Sequence, residues 1–231
     1  AFDAVHDREG RFDEANTHLY VTNDYVIELC ARHPQRMFFA ASIHPYRRDA
    51  VAELERCAAA GTCAIKWLPI VQNFNPADPL CERFYEALAA LRIPLLCHTG
   101  GEQSLPNLDK SVADPLLLVP ALKRGVTVIM AHCGTRSTPA DTDYLAAFVR
   151  LAKEFQHCYG DTAALSLPTR SYAYEVILKE PIVRDKIIHG SDWPIIPVPP
   201  GMHIRLIDAI KLWSETNWLK RDVLIKRALG F

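Results

Sequence analysis

Leu95-Leu96-Cys97-His98-Thr99-Gly100 is a short apolar run that closes on a histidine and a tight turn, and the chain repeats this construction. Val128 to Gly134 (VIMAHCG) closes on His132, His157 to Thr162 (HCYGDT) on Asp161, and Lys186 to Pro194 (KIIHGSDWP) on His189 and Asp192. If the runs are parallel strands buried on both faces, their C-terminal ends share one rim of a sheet, and polar residues distant in sequence meet there. Two earlier runs behave alike: MFFAASIHP, ending past His44, and CAIKWLP, carrying Lys66. With His44, Lys66, His98, His132, Asp161 and Asp192 as terminal markers, the intervals are 22, 32, 34, 29 and 31 residues, about the length of a βα unit.

The segments between the runs carry helical periodicity. Leu80, Phe84, Leu88 and Leu91 fall on one stripe, as do Tyr144, Leu145, Phe148, Leu151 and Phe155. Asp78-Pro79 and Asp114-Pro115 read as an N-cap followed by a first-turn proline, and Gly61 and Gly125 stand where helices should stop. Pro120 inside the segment 114–124 is expected to shorten or kink that helix. Six units in tandem favour a closed (β/α) barrel over an open doubly wound sheet, and no strand is followed by GxGxxG or GxxxxGK[ST], which leaves nucleotide binding unsupported.

With 231 residues and 49% hydrophobic content, residues 1–231 read as one barrel domain around one large core. The Pro/Gly-rich stretch Pro194 to Gly201 reads as a rim loop, because a helical pattern (Leu206, Ile207, Ile210, Trp213) resumes after it. The net charge of −1, with scattered basic residues, gives no nucleic-acid footprint. No apolar run approaches the roughly 20 residues that span a bilayer, and the opening residues do not read as a signal peptide. Seven cysteines at irregular spacing, several of them in or beside apolar runs (Cys63, Cys97, Cys133), read as reduced thiols of a cytoplasmic protein, with no CxxC zinc pattern.

A histidine at a strand end is ordinarily a hydrogen-bonded rim residue rather than a ligand. At His98 the turn Thr99-Gly100-Gly101 holds the imidazole at the mouth, and Asp192 offers an anionic oxygen to the same ion, a usual donor set for zinc and other divalent metals. Spacing alone supports a metal site and a structural polar rim equally. His132 can donate to a carbonyl oxygen, act as a base, or be a buried hydrogen-bonding residue. Asp192 can bind metal, take a proton from a bound water, or cap the segment after it. Lys66 can hold an anionic substrate, form a Schiff base or be carboxylated into a metal bridge, in that order, or close a strand-end salt bridge. Asp161 reads as the partner behind a ligand, Glu102 as a substrate contact and Trp67 as a pocket wall. His44 and His189 read as structural, and His6, His18, His33, His157 and His203 carry no signal.

The order HPYR (His44 to Arg47), IKWLP (Ile65 to Pro69), PLLCHTGGE (Pro94 to Glu102), VIMAHCG, YGDTAAL (Tyr159 to Leu165) and HGSDWP (His189 to Pro194) resembles the amidohydrolase superfamily, specifically the amidohydrolase-2 type of metal-dependent hydrolase. The resemblance runs over nearly the whole chain to a closing helix at Arg221 to Phe231, and HTG with GSDWP in this order makes it fairly specific. It implies an α/β fold, a (β/α)8 TIM-type barrel with a divalent metal, zinc by expectation, at its mouth. By position, His98 resembles the strand-five ligand, His132 the strand-six histidine that contacts metal or substrate, and Asp192 the strand-eight aspartate that binds metal and handles protons. Lys66 stands on strand four, where a free amine is expected in this branch.

The family places an HxH ligand pair at the end of strand one, and this sequence contains no HxH. Ala1 to His6 (AFDAVH) resembles the tail of strand two, so the barrel is expected to lack strand one and part of strand two. Such a chain is either a piece of a longer protein or a truncated barrel with a half-built metal site. The expected reaction is attack of metal-activated water on the carbonyl of an amide, ester or lactone. Asp192 would act as base, His132 would stabilise the oxyanion and Lys66 would recognise a carboxylate. Non-oxidative decarboxylation and a non-catalytic barrel are the alternatives. A Schiff-base aldolase on Lys66 would leave His98 and Asp192 unexplained. The expected partner is a small-molecule substrate, with no nucleic acid or membrane and with homo-oligomerisation open.

Overall fold

Each apolar run pairs with the next one along the chain. The computed structural model describes residues 1–199 and 204–231. In it β1 (Ala40–Ala41), β2 (Ala64–Trp67), β3 (Leu95–His98), β4 (Val128–Ala131), β5 (Cys158–Asp161) and β6 (Ile187–Ile188) form one sheet in the order β1-β2-β3-β4-β5-β6. All pairs are parallel, as helical crossovers dictate. The order never reverses, which is the arrangement of a barrel wall rather than of a doubly wound sheet. β1 and β6 do not pair with each other, so among the described residues the wall is an open arc of six strands. The opening hexapeptide lies beside β1, where the Ala1 ammonium donates to the Ala40 carbonyl at 2.9 Å. Among the described residues it makes only isolated antiparallel bridges, Phe2 with Val21 and His6 with Phe12, and no strand of the wall.

Local signals place the connections. The Asp78 carboxylate accepts from Leu80 N at 3.0 Å and that of Asp114 from Leu116 N at 2.8 Å, each capping a turn that begins with proline. The segment around Pro120 divides into a 3-10 turn, Pro115–Leu118, and a short helix, Val119–Lys123, because a proline without an N–H fits only the first turn. The closing helix runs Trp218–Leu229, three residues earlier than expected at its start, since Asn217 caps it by accepting from Lys220 N.

Alternation along the strands sorts side chains between two faces. Ile65, Leu95, Val128 and Cys158 are in register, as are Trp67, Cys97, Met130 and Gly160, and these side chains are buried against the helices. The row between them, Lys66, Leu96, Ile129 and Tyr159, is half-buried on the other face. His98 and Asp161 stand two residues beyond Leu96 and Tyr159, on that same face at the C-terminal rim. The helix Leu145–Glu154 covers the sheet with Leu145, Phe148 and Leu151. The helix Glu82–Leu91 does so with Phe84, Tyr85 and Leu88, each such side chain contributing about 1.5–3 kcal/mol by burial. Leu80 and Leu91, expected on that stripe, are exposed, because Leu80 belongs to the preceding 3-10 turn Pro79–Cys81 and Leu91 is the last residue of the helix.

The pattern at Leu206, Ile207, Ile210 and Trp213 does form a helix, Leu206–Trp213, but all four side chains are exposed. The rim loop from Pro194 is described as far as Pro199; Pro200, Gly201 and His203 lie outside the described residues. All seven cysteines are free; six are buried, and Cys63 is exposed although it adjoins β2. No described helix is long and apolar enough to cross a membrane.

Candidate active site

β3 delivers His98 to the rim, and the chain turns at once through Thr99 and Gly100. Gly100 has φ of 83°, and a Cβ there would meet the Thr135 carbonyl oxygen at 2.2 Å, so only glycine lets the turns after β3 and β4 pack this closely. The His98 ring is 3% exposed. Its Nδ1 faces Glu102 Oε2 at 3.8 Å, while its Nε2 is buried without a hydrogen-bond partner among the described residues. Burial, then the charges of His132, Lys66 and Arg170, hold its pKa well below 6.5, so the imidazole is neutral.

His132 follows the last residue of β4 and, with Cys133, takes left-handed backbone angles, φ of 61° and 53°. Such angles are uncommon outside glycine and are maintained by surrounding bonds. Asp161 supplies one: its Oδ1 accepts from His132 N at 2.8 Å and Ala163 N at 3.1 Å. The Thr135 hydroxyl donates to the His132 carbonyl at 2.7 Å. His132 Nδ1 stands 2.9 Å from the Ala163 carbonyl oxygen, which can only accept, so Nδ1 carries the proton. Burial and the charges of Arg170 and Lys66 keep this ring neutral as well, which leaves Nε2 a lone pair. This corrects the expected oxyanion role: in this tautomer His132 can accept a proton or ligate, but cannot donate to an oxyanion. The two rings meet edge to face with centroids 4.8 Å apart.

Asp192 follows β6 by four residues, also left-handed at φ of 57°. Its carboxylate makes no hydrogen bond among the described residues, so it is not a helix cap. Partial burial raises its pKa, Lys66 and Arg170 pull it down, and Glu102 pushes it up again. Burial likewise raises Asp161, against the hydrogen bond from His132 and the charge of Lys66. Lys66 thus acts on His98, His132, Asp161 and Asp192 alike, and it has no ion pair or hydrogen bond from its amine among the described residues. Glu102 spends Oε1 on the amides of Ser104 and Leu105 and turns Oε2 towards His98, so it shapes the loop first.

Trp67 is the residue that the structure removes from the site. It is fully buried, its ring stacks on Phe84 with centroids 5.4 Å apart, and its Nε1 donates to the Ile43 carbonyl at 2.7 Å. Being next to Lys66 on a strand, it faces the helices and cannot wall a pocket at the mouth. His44 is structural as expected, buried with Nε2 on the Gln72 carbonyl at 2.9 Å. His189 stands 3.6 Å from Asp222. Arg170 is the residue that sequence reasoning missed. It is 3% exposed in the loop after β5, and its partners are backbone oxygens and a threonine hydroxyl, which leave no motif.

Among the described residues no three His, Cys, Asp or Glu side chains form a metal-holding group. The donor chemistry nevertheless fits a divalent ion at His98, where a neutral imidazole presents a buried nitrogen with nothing to bond.

The sequence matches the family model described as Amidohydrolase over residues 2–222. The chain belongs to the amidohydrolase family. Curated protein sequences yield no match. Among solved structures, an uncharacterised TIM-barrel protein from Bordetella bronchiseptica superposes with a TM-score of 0.66 at 16% identity, covering 96% of this chain and 73% of that one. A protein from Acinetobacter baumannii described as a probable 2-pyrone-4,6-dicarboxylic acid hydrolase, with citric acid bound, gives 0.55 at 19% identity over 93% and 81%. A dihydroxybenzoic acid decarboxylase from Polaromonas sp. JS666, with manganese and 2-nitroresorcinol bound, gives 0.53 at 19% identity over 90% and 76%. At these identities the likeness shows a common TIM-type α/β barrel. Among the described residues the amidohydrolase-family chain carries six strands of it.

Proposed function

We propose that this amidohydrolase-family chain is a metal-dependent hydrolase in which water attacks the carbonyl carbon of a small amide, ester or lactone and the acyl C–N or C–O bond breaks, giving a carboxylic acid and an amine or alcohol. The observation that carries the reading is the buried His98 Nε2, without a partner among the described residues, beside a second neutral imidazole. His98 and Asp192 would hold the ion, zinc by preference and manganese as the neighbouring decarboxylase suggests. When bound, such an ion polarises the carbonyl and makes a water ligand acidic. Asp192, whose carboxylate makes no hydrogen bond among the described residues and whose pKa is raised, takes the proton of the attacking water at a carboxylate oxygen. Asp161 holds the His132 backbone, and with Nδ1 bonded to the Ala163 carbonyl the ring keeps Nε2 as an acceptor. Lys66 attracts a carboxylate of the substrate, in keeping with the dicarboxylic lactone named for the Acinetobacter neighbour. Six buried free thiols suit a reducing, cytoplasmic setting.

The rival reading, non-oxidative decarboxylation, is favoured by the Polaromonas neighbour. One experiment separates the two. The chain, supplied with zinc or manganese, is incubated in H2(18)O with 2-pyrone-4,6-dicarboxylate and with dihydroxybenzoates. Heavy oxygen in a ring-opened product supports hydrolysis; carbon dioxide release without label uptake replaces it with decarboxylation.

A further inference from the structure

We propose that Arg170 is a positioning residue whose buried guanidinium locks the turns behind His98 and His132 and thereby sets how those imidazoles face each other. This deepens the hydrolase reading and rests on it for its catalytic consequence alone. Arg170 Nη2 donates to the Gly101 carbonyl at 2.7 Å. Its Nη1 donates to the Thr135 carbonyl at 3.0 Å and the Thr135 hydroxyl at 2.8 Å. Gly101 stands three residues beyond His98, and Thr135 three beyond His132. The two turns are also joined directly, because Gly101 N donates to the same Thr135 carbonyl at 3.1 Å. From Thr135 the bonds continue to His132, whose carbonyl accepts the Thr135 amide at 3.0 Å and hydroxyl at 2.7 Å. One side chain from the loop after β5 therefore ties the turns after β3 and β4.

The choice of residue is informative. A buried guanidinium is costly to desolvate, and no carboxylate lies within ion-pair distance of Arg170 among the described residues. Its bonds go to uncharged oxygens on two different loops, an arrangement that adds little stability and fixes geometry. A planar fork can serve both turns at once, whereas a lysine ammonium presents one point charge. Both terminal nitrogens are occupied by protein, so Arg170 is not free to clamp a substrate carboxylate through its end.

The test uses the full chain with Arg170→Lys and Arg170→Met. Imidazole 1H–13C resonances, assigned through histidine variants, report the rings directly, and hydrogen exchange reports the turns. Both variants should move the His98 and His132 resonances and speed exchange of the Gly101 amide by about tenfold or more, with the helix Glu82–Leu91 still protected. Should Arg170→Met fail to fold, Arg170→Lys and Thr135→Val carry the same test, the latter removing the hydroxyl between Arg170 and His132. Unmoved imidazole resonances, or loss of protection spread evenly into the helix Glu82–Leu91, would overturn the proposal. With a turned-over substrate, Arg170→Lys should lower kcat about a hundredfold with KM nearly unchanged. A raised KM with kcat kept would make Arg170 a substrate anchor instead. A wild-type chain that binds no divalent ion would end the hydrolase reading, yet leave the resonance and exchange outcomes to decide on Arg170.

Discussion

The ring of His98 meets that of His132 edge to face, with 4.8 Å between centroids and an interplanar angle of 65°. Both rings are neutral; His132 is anchored through Nδ1 and so keeps an Nε2 lone pair, while His98 Nε2 has no hydrogen-bond partner among the described residues. Neutral imidazoles with an unengaged nitrogen suit a cation. His98→Asn should therefore abolish binding of zinc or manganese, measured as metal per chain after dialysis, and lose activity with it. Undiminished metal content would take His98 out of the ligand set.

Asp192 offers a cleaner separation of chemistry from folding. Its carboxylate is unbonded among the described residues, and asparagine tolerates the left-handed φ of 57°. Asp192→Asn should leave the urea midpoint unchanged to within about 0.5 kcal/mol, while turnover falls about 10²–10⁴-fold. Wild-type turnover in that variant would move the base elsewhere.

Lys66 acts on four rim groups, and its amine makes no bond among the described residues. For an anionic substrate, Lys66→Met should raise KM by about tenfold or more with kcat little altered, since uniform binding is what it removes. A collapse of kcat at unchanged KM, with substrate trapped by borohydride in the wild type, would point to an imine instead.

His44 carries a pH dependence that can be worked out in sign. Burial lowers its pKa from 6.5 to about 3, against the opposing bond to Gln72. Between those values the unfolded chain binds the proton and the folded chain does not. Stability is therefore present in full above the unfolded pKa and falls as pH drops from 6.5 towards 3, by roughly 1 kcal/mol per pH unit. In His44→Gln, which retains a donor for the Gln72 carbonyl, the difference between unfolding free energies at pH 7 and pH 5 should shrink accordingly. Equal acid sensitivity of the two proteins would assign the effect to other groups.

The barrel wall was legible because its four middle strands are largely buried, because a polar residue stands at or near the end of each apolar run, and because the spacing of those markers matches one βα unit. His98, His132 and Asp161 could be placed on one rim from that pattern. Trp67 was misread although the signal was present: once Lys66 faces the mouth, its neighbour on the strand must face the helices. Arg170 was illegible for a physical reason, since backbone oxygens accept its bonds and any sequence supplies those. The tautomer of His132 was equally hidden, decided by the carbonyl of Ala163 on another loop. At Leu206 to Trp213 the period gave the helix, but a period does not say whether anything covers the stripe.

Cys63 stands immediately before β2, at the end of the sheet remote from the rim, and it is the exposed one among seven free thiols. A maleimide dye or nitroxide would couple there and leave the other six untouched, so the native chain comes with one addressable handle. Ligand titrations, tumbling times and distances to a bound paramagnetic ion can be read from it without changing a single residue at the mouth.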